Sequence, residues 1–135
     1  LKKKRRKKSP RTKLIKYLDI LWSKITKVVY GFRCEWCGST ENLQSDHIVN
    51  RWKFLTRWVI ENCLILCMPC HIFRKKREPY EWAKLADEKR GPDTIQALKV
   101  QANRPEKVDL EQVQRYLEGM AKEHLEDTTI LGAKA

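Results

Sequence analysis

Two cysteine pairs frame the part of this chain that can do chemistry. Cys34 and Cys37 form one Cys-x-x-Cys knuckle, and Cys67 and Cys70 form a second. Between them lie Asp46-His47 and Asn62, and His71 follows the last cysteine directly. Cysteines three apart can turn both sulfurs to one cation, and two such pairs complete a tetrahedral thiolate site. The alternatives are two disulfides or buried free thiols, and disulfides suit a secreted chain. Nothing in this sequence looks secreted, so Cys34, Cys37, Cys67 and Cys70 are expected to hold a structural Zn²⁺. Gly38 suits the tight turn of the first knuckle. Cys63, the fifth cysteine, stands in an apolar run and reads as a buried thiol.

The other polar groups suit a different task. Phosphodiester hydrolysis needs a base to activate water and a hard cation to stabilise charge on the phosphate and leaving oxygen. His47 has the intrinsic pKa range of such a base. Asp46 and His71 can hold a divalent ion, Mg²⁺ or Mn²⁺, with positions left for phosphate oxygen and water. Asn62 can orient the His47 ring through its amide or supply a third ligand. The competing reading is a zinc-stabilised module that binds DNA or a protein without catalysis. That reading must account for Asp46, His47, Asn62 and His71 all standing at these places.

Positioning these groups requires a particular order of elements. Asn42–Val49 alternates enough to be a short strand, and Asn62–Cys67 is an apolar run of strand length. The two should pair antiparallel. Pro69 fits the first turn of a helix that carries His71. The order is therefore strand, long loop, strand, helix, with the cysteines tying the front of the hairpin to the helix start. Asp46, His47, Asn62 and His71 can then converge on one spot.

His47, Asn62 and His71, with the paired knuckles and the string Leu66-Cys-x-x-Cys-His71, resemble the HNH family of ββα-metal endonucleases over about residues 30–80. The resemblance implies an α+β fold: a small ββα-metal core with a four-cysteine zinc site, flanked by an N-terminal helix and C-terminal helices. It implies His47 as general base, Asp46 and His71 as ligands of a catalytic ion, and a catalytic place for Asn62. It also implies cleavage of DNA to 5′-phosphate and 3′-hydroxyl ends. The sequence departs from the family where Asn50 stands near a common Pro, and where the loop Arg51–Trp58 lacks the usual Gly residues. Leu21-Trp-Ser-Lys24, Arg57-Trp-x-x-Glu-Asn62, Glu78-Pro-Tyr-Glu-Trp82 and Arg104-Pro-Glu-Lys-Val-Asp109 look like phage recombination nucleases of the NinG/Rap type. That narrower likeness implies a branched or recombining duplex as substrate, in the cytoplasm of a bacterium or phage-infected cell.

Charge points the same way. Residues 1–16 carry ten basic side chains (Lys2, Lys3, Lys4, Arg5, Arg6, Lys7, Lys8, Arg11, Lys13, Lys16) and no acid. Removing those ten from the net charge of +12 leaves only +2 for residues 17–135. The basic balance is mostly an arm, expected to be disordered alone and to condense on DNA through counterion release. A nuclear-localisation signal, an anionic membrane surface and ribosomal RNA are the other partners such an arm suits. No apolar core of signal-peptide length follows the arm, and no stretch approaches a membrane span. Arg51, Lys53 and Arg57 alternate with Trp52, Phe54 and Trp58, a pattern that fits either a nucleic-acid contact or a core plug with solvated charges. Arg74, Lys75, Lys76 and Arg77 lie beside the predicted metal site and suit phosphate contact.

The remaining elements are helices. Ser9 and Pro10 make a helix start, and Leu14, Leu18, Leu21, Ile25 and Val28 form one apolar stripe that suits intramolecular packing or a homodimer. Pro79–Lys89 reads as a second helix, Asp93 as the cap of a third, and Asp109 as the cap of a last one. His124 reads as an ordinary helix residue. The expected organisation is a basic arm over 1–10, an amphipathic helix over 11–30 and a zinc-bound core over 31–78. A helical extension follows over 79–127, then a tail over 128–135.

Overall fold

The first helix starts where its capping residues dictate. In the computed structural model, which describes residues 5–125, α1 spans Pro10–Val29. The Ser9 hydroxyl accepts the Thr12 N–H at 3.1 Å, and Pro10 fills the first helical position, where a missing N–H costs nothing. Residues 5–9 are exposed and have no regular structure. Lys2, Lys3, Lys4 and the tail 128–135 lie outside the described residues. The helix ends as Gly31, at φ +87°, and Phe32, at φ +53°, turn the chain back. Phe32 N–H then donates to Lys27 O at 2.8 Å, satisfying a terminal carbonyl.

The described chain is α+β, with five α-helices and one two-stranded antiparallel sheet. Strand β1 (Leu43–His47) pairs with β2 (Cys63–Cys67), Leu43 opposite Cys67 and His47 opposite Cys63. β1 is shorter than the alternation predicts. The Asn62 side chain takes both the N–H and the C=O of Val49, so the ladder stops at His47. All five residues of β2 are buried because both of its faces are covered. Cys63 and Ile65 belong to a core shared with Leu18, Trp22 and Ile25 of α1, with Trp58 and Ile60, and with Leu110 and Leu117 of α5 (Leu110–His124). Leu64 and Leu66 belong to a second core, with Leu85 and Ala86 of α3 (Pro79–Arg90) and Ile95 of α4 (Pro92–Ala102). The period-two alternation of a strand thus divides one apolar run between two cores.

The stripe Leu14, Leu18, Leu21, Ile25 and Val28 packs within the chain against α5 and β2, the intramolecular alternative the sequence offered. One expectation is corrected. Asp93 does not cap α4. Gly91 stands at that position with φ +89°, a conformation side chains resist, and Asp93 falls in the first turn. Asp109 does cap α5, accepting from Glu111 N–H at 3.1 Å and Gln112 N–H at 3.2 Å.

The free edge of β2 is closed by an ion pair. Glu35 donates its N–H to Ile65 O and accepts Ile65 N–H on its carboxylate, both at 2.8 Å. Arg90, at the end of α3, donates to Cys63 O at 2.9 Å and to both Glu35 oxygens at 2.9 and 2.6 Å. The edge is covered and α3 is docked by the same contacts. The Cys63 thiol, at 0% exposure, is pushed up to about 12 by burial, as suits an inert buried cysteine. After β2 the chain forms a π-helical turn, Cys70–Arg74, that runs into one α-helical turn, α2 (Lys75–Arg77). Among the described residues no helix is long and apolar enough to cross a membrane.

Candidate metal centre and catalytic groove

The four knuckle cysteines come together as their spacing predicts. The sulfurs of Cys34, Cys37, Cys67 and Cys70 all lie within 4.8 Å of one another, and Cys37 Sγ is 3.5 Å from Cys67 Sγ. Tetrahedral zinc, with Zn–S of about 2.3 Å, would set its sulfurs about 3.8 Å apart. None of the five cysteines is in a disulfide, so the cluster can hold a metal ion such as zinc. Gly38, at φ +82°, makes the knuckle turn, with its N–H on Cys34 O at 2.9 Å. Burial raises the Cys34 thiol, but backbone hydrogen bonds from Cys37, Cys67 and Trp36 outweigh it and bring it down to about 7. Burial and the neighbouring thiols raise Cys67 and Cys70 instead, so of these three only Cys34 is shifted toward the thiolate a metal requires.

A second set of groups meets at the loop end of the hairpin. A groove of about 460 Å³ is lined by Asp46, His47, His71 and Lys75, with Trp22, Ser45 and the loop residues Arg51 and Trp52 also on its wall. Asp46 is buried and heavily partnered. Lys75 Nζ lies 2.9 Å from each of its oxygens, and Trp82 Nε1 donates to Oδ2 at 2.9 Å. His71 Nε2 is 3.3 Å from Oδ1. Burial pushes the Asp46 pKa up, but His71 and Lys75 together pull it below the ordinary carboxylate value.

The two histidines are held in defined tautomers by acceptors. His47 Nε2 lies 2.9 Å from Arg57 O. A carbonyl can only accept, so Nε2 carries the proton and Nδ1 of the neutral ring keeps its lone pair. The ring also stacks on Trp22, with centroids 4.3 Å apart and planes 13° apart. Burial is the largest influence on His47 and moves its pKa below the usual imidazole value. His71 Nδ1 bonds the Gln44 side-chain oxygen, which places a proton on Nδ1, and Nε2 faces Asp46, donating to it when protonated and offering its lone pair to a cation when not. Gln44, Trp22, Lys75 in this role and Trp82 are contacts the sequence reading did not name.

Asn62 does neither of the things expected of it. It is fully buried, accepts Val49 N–H at 2.7 Å, and donates to Val49 O at 3.1 Å and Thr56 O at 2.9 Å. It therefore touches neither the His47 ring nor a ligand position. It closes the loop whose Arg57 carbonyl holds His47.

The basic residues divide by burial. Arg57 is 4% exposed and chelates Asp19 through Nε at 3.0 Å and Nη2 at 2.6 Å, while Trp58 Nε1 donates to the same carboxylate at 2.8 Å. Arg57 is therefore a loop clamp rather than a surface contact. Trp58 is core, Phe54 packs partly against it, and Trp52 stands 76% exposed at the groove. Arg51 remains at the surface, and Lys53 reaches Asn103 at 3.1 Å. Arg74 lies over the Trp36 ring and bonds Glu78, whereas Lys76 and Arg77 are exposed. Arg5, Arg6, Lys7 and Lys8 are all exposed. In comparisons with family models, with curated proteins and with solved structures, the chain finds no match.

Proposed function

We propose that this chain is a metal-dependent DNA endonuclease with an HNH-type ββα-metal site. The observation that carries the reading is the joint geometry of one groove. Asp46 Oδ1 and His71 Nε2 face each other at 3.3 Å, and His47 lines the same groove with an unprotonated Nδ1. Adjacent ligands of a six-coordinate Mg²⁺ or Mn²⁺ lie about 3.0 Å apart, so this pair fits such an ion with little movement. A divalent ion held there supplies positive charge to the phosphate and to the leaving 3′ oxygen. His47 Nδ1 takes a proton from water, and Arg57 O stabilises the imidazolium through Nε2–H. Gln44 keeps His71 in its ligating tautomer. The four-cysteine zinc site fixes the start of the helix that carries His71.

The substrate is held by phosphate contacts. The arm from Lys2 to Lys8, Arg51, Lys53, Lys76 and Arg77 track the backbone, and the exposed Trp52 presses on sugar or base at the groove. A branched or recombining duplex suits an exposed aromatic beside the reacting groups.

A second reading has an observation in its favour. Lys75 already neutralises Asp46, as a structural ion pair in a non-catalytic zinc module would. Cleavage of a supercoiled plasmid and a four-way junction separates the two readings. The nuclease cuts with Mg²⁺ or Mn²⁺, stops in EDTA and leaves ligatable 5′-phosphate ends. Zinc-loaded, DNA-binding protein that leaves both substrates intact in every metal supports the module.

A further inference from the structure

Lys75 sits on the one carboxylate that the nuclease reading gives to a divalent ion. Oδ1 of Asp46 already faces Lys75 Nζ at 2.9 Å and His71 Nε2 at 3.3 Å, and Oδ2 faces Lys75 Nζ and Trp82 Nε1, each at 2.9 Å. An ion that takes Oδ1 and His71 Nε2 would therefore lie beside the ammonium, and two cations so close on one carboxylate repel. The two partners differ in freedom. The Asp46 side chain is 6% exposed, whereas that of Lys75 is 31% exposed and lines the open groove. The lysine has somewhere to go and the aspartate does not. Its resting place is also built rather than accidental. The ammonium lies 4.2 Å from the centroid of the Trp82 ring, whose N–H bonds the same carboxylate. Of the four basic residues 74–77, Lys75 is the one held on Asp46. Arg74 bonds Glu78, and Lys76 and Arg77 are exposed.

We propose that Lys75 is a placeholder cation: it neutralises Asp46 until a divalent ion binds, is then displaced from Oδ1, and delivers its ammonium to a phosphate oxygen of the substrate in the groove. The inference rests on the nuclease reading of Asp46 and His71. It makes ion binding and phosphate binding one coupled event, so that a site without its ion holds no strong unpaired anion against DNA.

Calorimetric titration of zinc-loaded, DNA-free protein with Mn²⁺ tests it, with Asp46→Ala as the control for the site. Lys75→Met keeps the stem against Trp82 but removes the charge, and should bind Mn²⁺ at least about tenfold more tightly than wild type. Lys75→Arg keeps the competitor and should stay within about threefold of wild type. Equal or weaker binding by Lys75→Met, while wild type binds and Asp46→Ala does not, overturns the placeholder and leaves the metal site standing. Absence of Mn²⁺ binding in all four proteins overturns the metal reading and this inference with it. Wild-type protein gives an independent readout that needs no variant to fold: the ¹⁵N signal of the Lys75 ammonium should shift when Mg²⁺ is added, and an unmoved signal refutes displacement. The delivery step is read in His47→Ala protein, which binds without cutting. There Lys75→Met should reduce the slope of log affinity against log salt by about one with Mg²⁺ present and leave it unchanged in EDTA. A slope that does not fall with Mg²⁺ present overturns delivery.

Discussion

His47 is the residue on which the proposed chemistry turns, and its surroundings make a statement about pH. Burial against Trp22 disfavours the charged ring, and this outweighs the Arg57 carbonyl, which favours it. The base must be neutral to act. A pKa below the usual imidazole value keeps it neutral further into acid, so the acid limb of the cleavage rate should lie below pH of about 6.5. A pH–rate profile with Mg²⁺ held saturating reads this directly, and a limb at or above that value would contradict the burial argument. The residue types at Asp46, His47 and His71 were legible in the sequence because strand and helix periodicity already bring them to one end of the hairpin. Their partners were not. Gln44 and Asp46 face one side of β1 and His47 the other, and which helix covers each side is decided by the two cores. Lys75 read as one of four phosphate-binding residues, since nothing local distinguishes a lysine that turns inward.

The loop between the strands works as a single clamped element. Asn62 ties Val49 to Thr56, and Arg57 and Trp58 share Asp19, so the Arg57 carbonyl is fixed from both ends. Asn62→Ala would leave the Val49 N–H and C=O without their partner and Thr56 O with Val59 N–H alone. A loss of about 2–3 kcal/mol is expected from chemical denaturation, with cleavage falling as His47 loosens and zinc content retained. Arg57 and Arg51 make a contrasting pair. Arg57→Ala removes a buried partner of Asp19 and should cost about 3 kcal/mol, with little change in the salt dependence of DNA binding. Arg51→Ala should do the reverse: an unchanged melting temperature and a salt slope reduced by about one. Reversed outcomes for the two arginines would mean that the loop is seated differently. The sequence showed basic and aromatic residues alternating here and left core plug and nucleic-acid contact equally open. Burial divides the stretch residue by residue: Arg57 and Trp58 are inside, and Arg51 and Trp52 are outside. Only the position of Asp19, thirty-eight residues upstream of Arg57, decides it.

At the scale of the whole molecule, the four-cysteine cluster and the arm make separable contributions. Cys34, Cys67 and Cys70 are members of the second core, so the cluster braces β2 and the helix start together. Stripping the bound metal with a chelator, or replacing Cys70 by Ser, should lower the melting temperature and abolish cleavage together. Retention of both would separate the cluster from the fold. The arm contributes charge and no packing among its described residues. Deleting residues 1–8 should flatten the salt dependence of DNA affinity while leaving the melting temperature unchanged, and an unchanged slope would mean that the arm does not meet phosphate. The sheet and most helix starts followed from caps and periodicity. The return of α5 onto α1 did not, because an apolar stripe says that a face is covered and not by what.

The central claim is that His47 activates water in a groove that Asp46 and His71 equip with a divalent ion. The most direct measurement is nicking of supercoiled plasmid by wild type and His47→Ala, side by side, with Mg²⁺ and with EDTA, after both proteins are matched for zinc content and DNA affinity. Metal-dependent nicking by wild type, reduced at least about a hundredfold in His47→Ala with binding unchanged, is the predicted result. Nicking by His47→Ala at the wild-type rate would contradict the assignment of the base and, with it, the mechanism proposed for this groove.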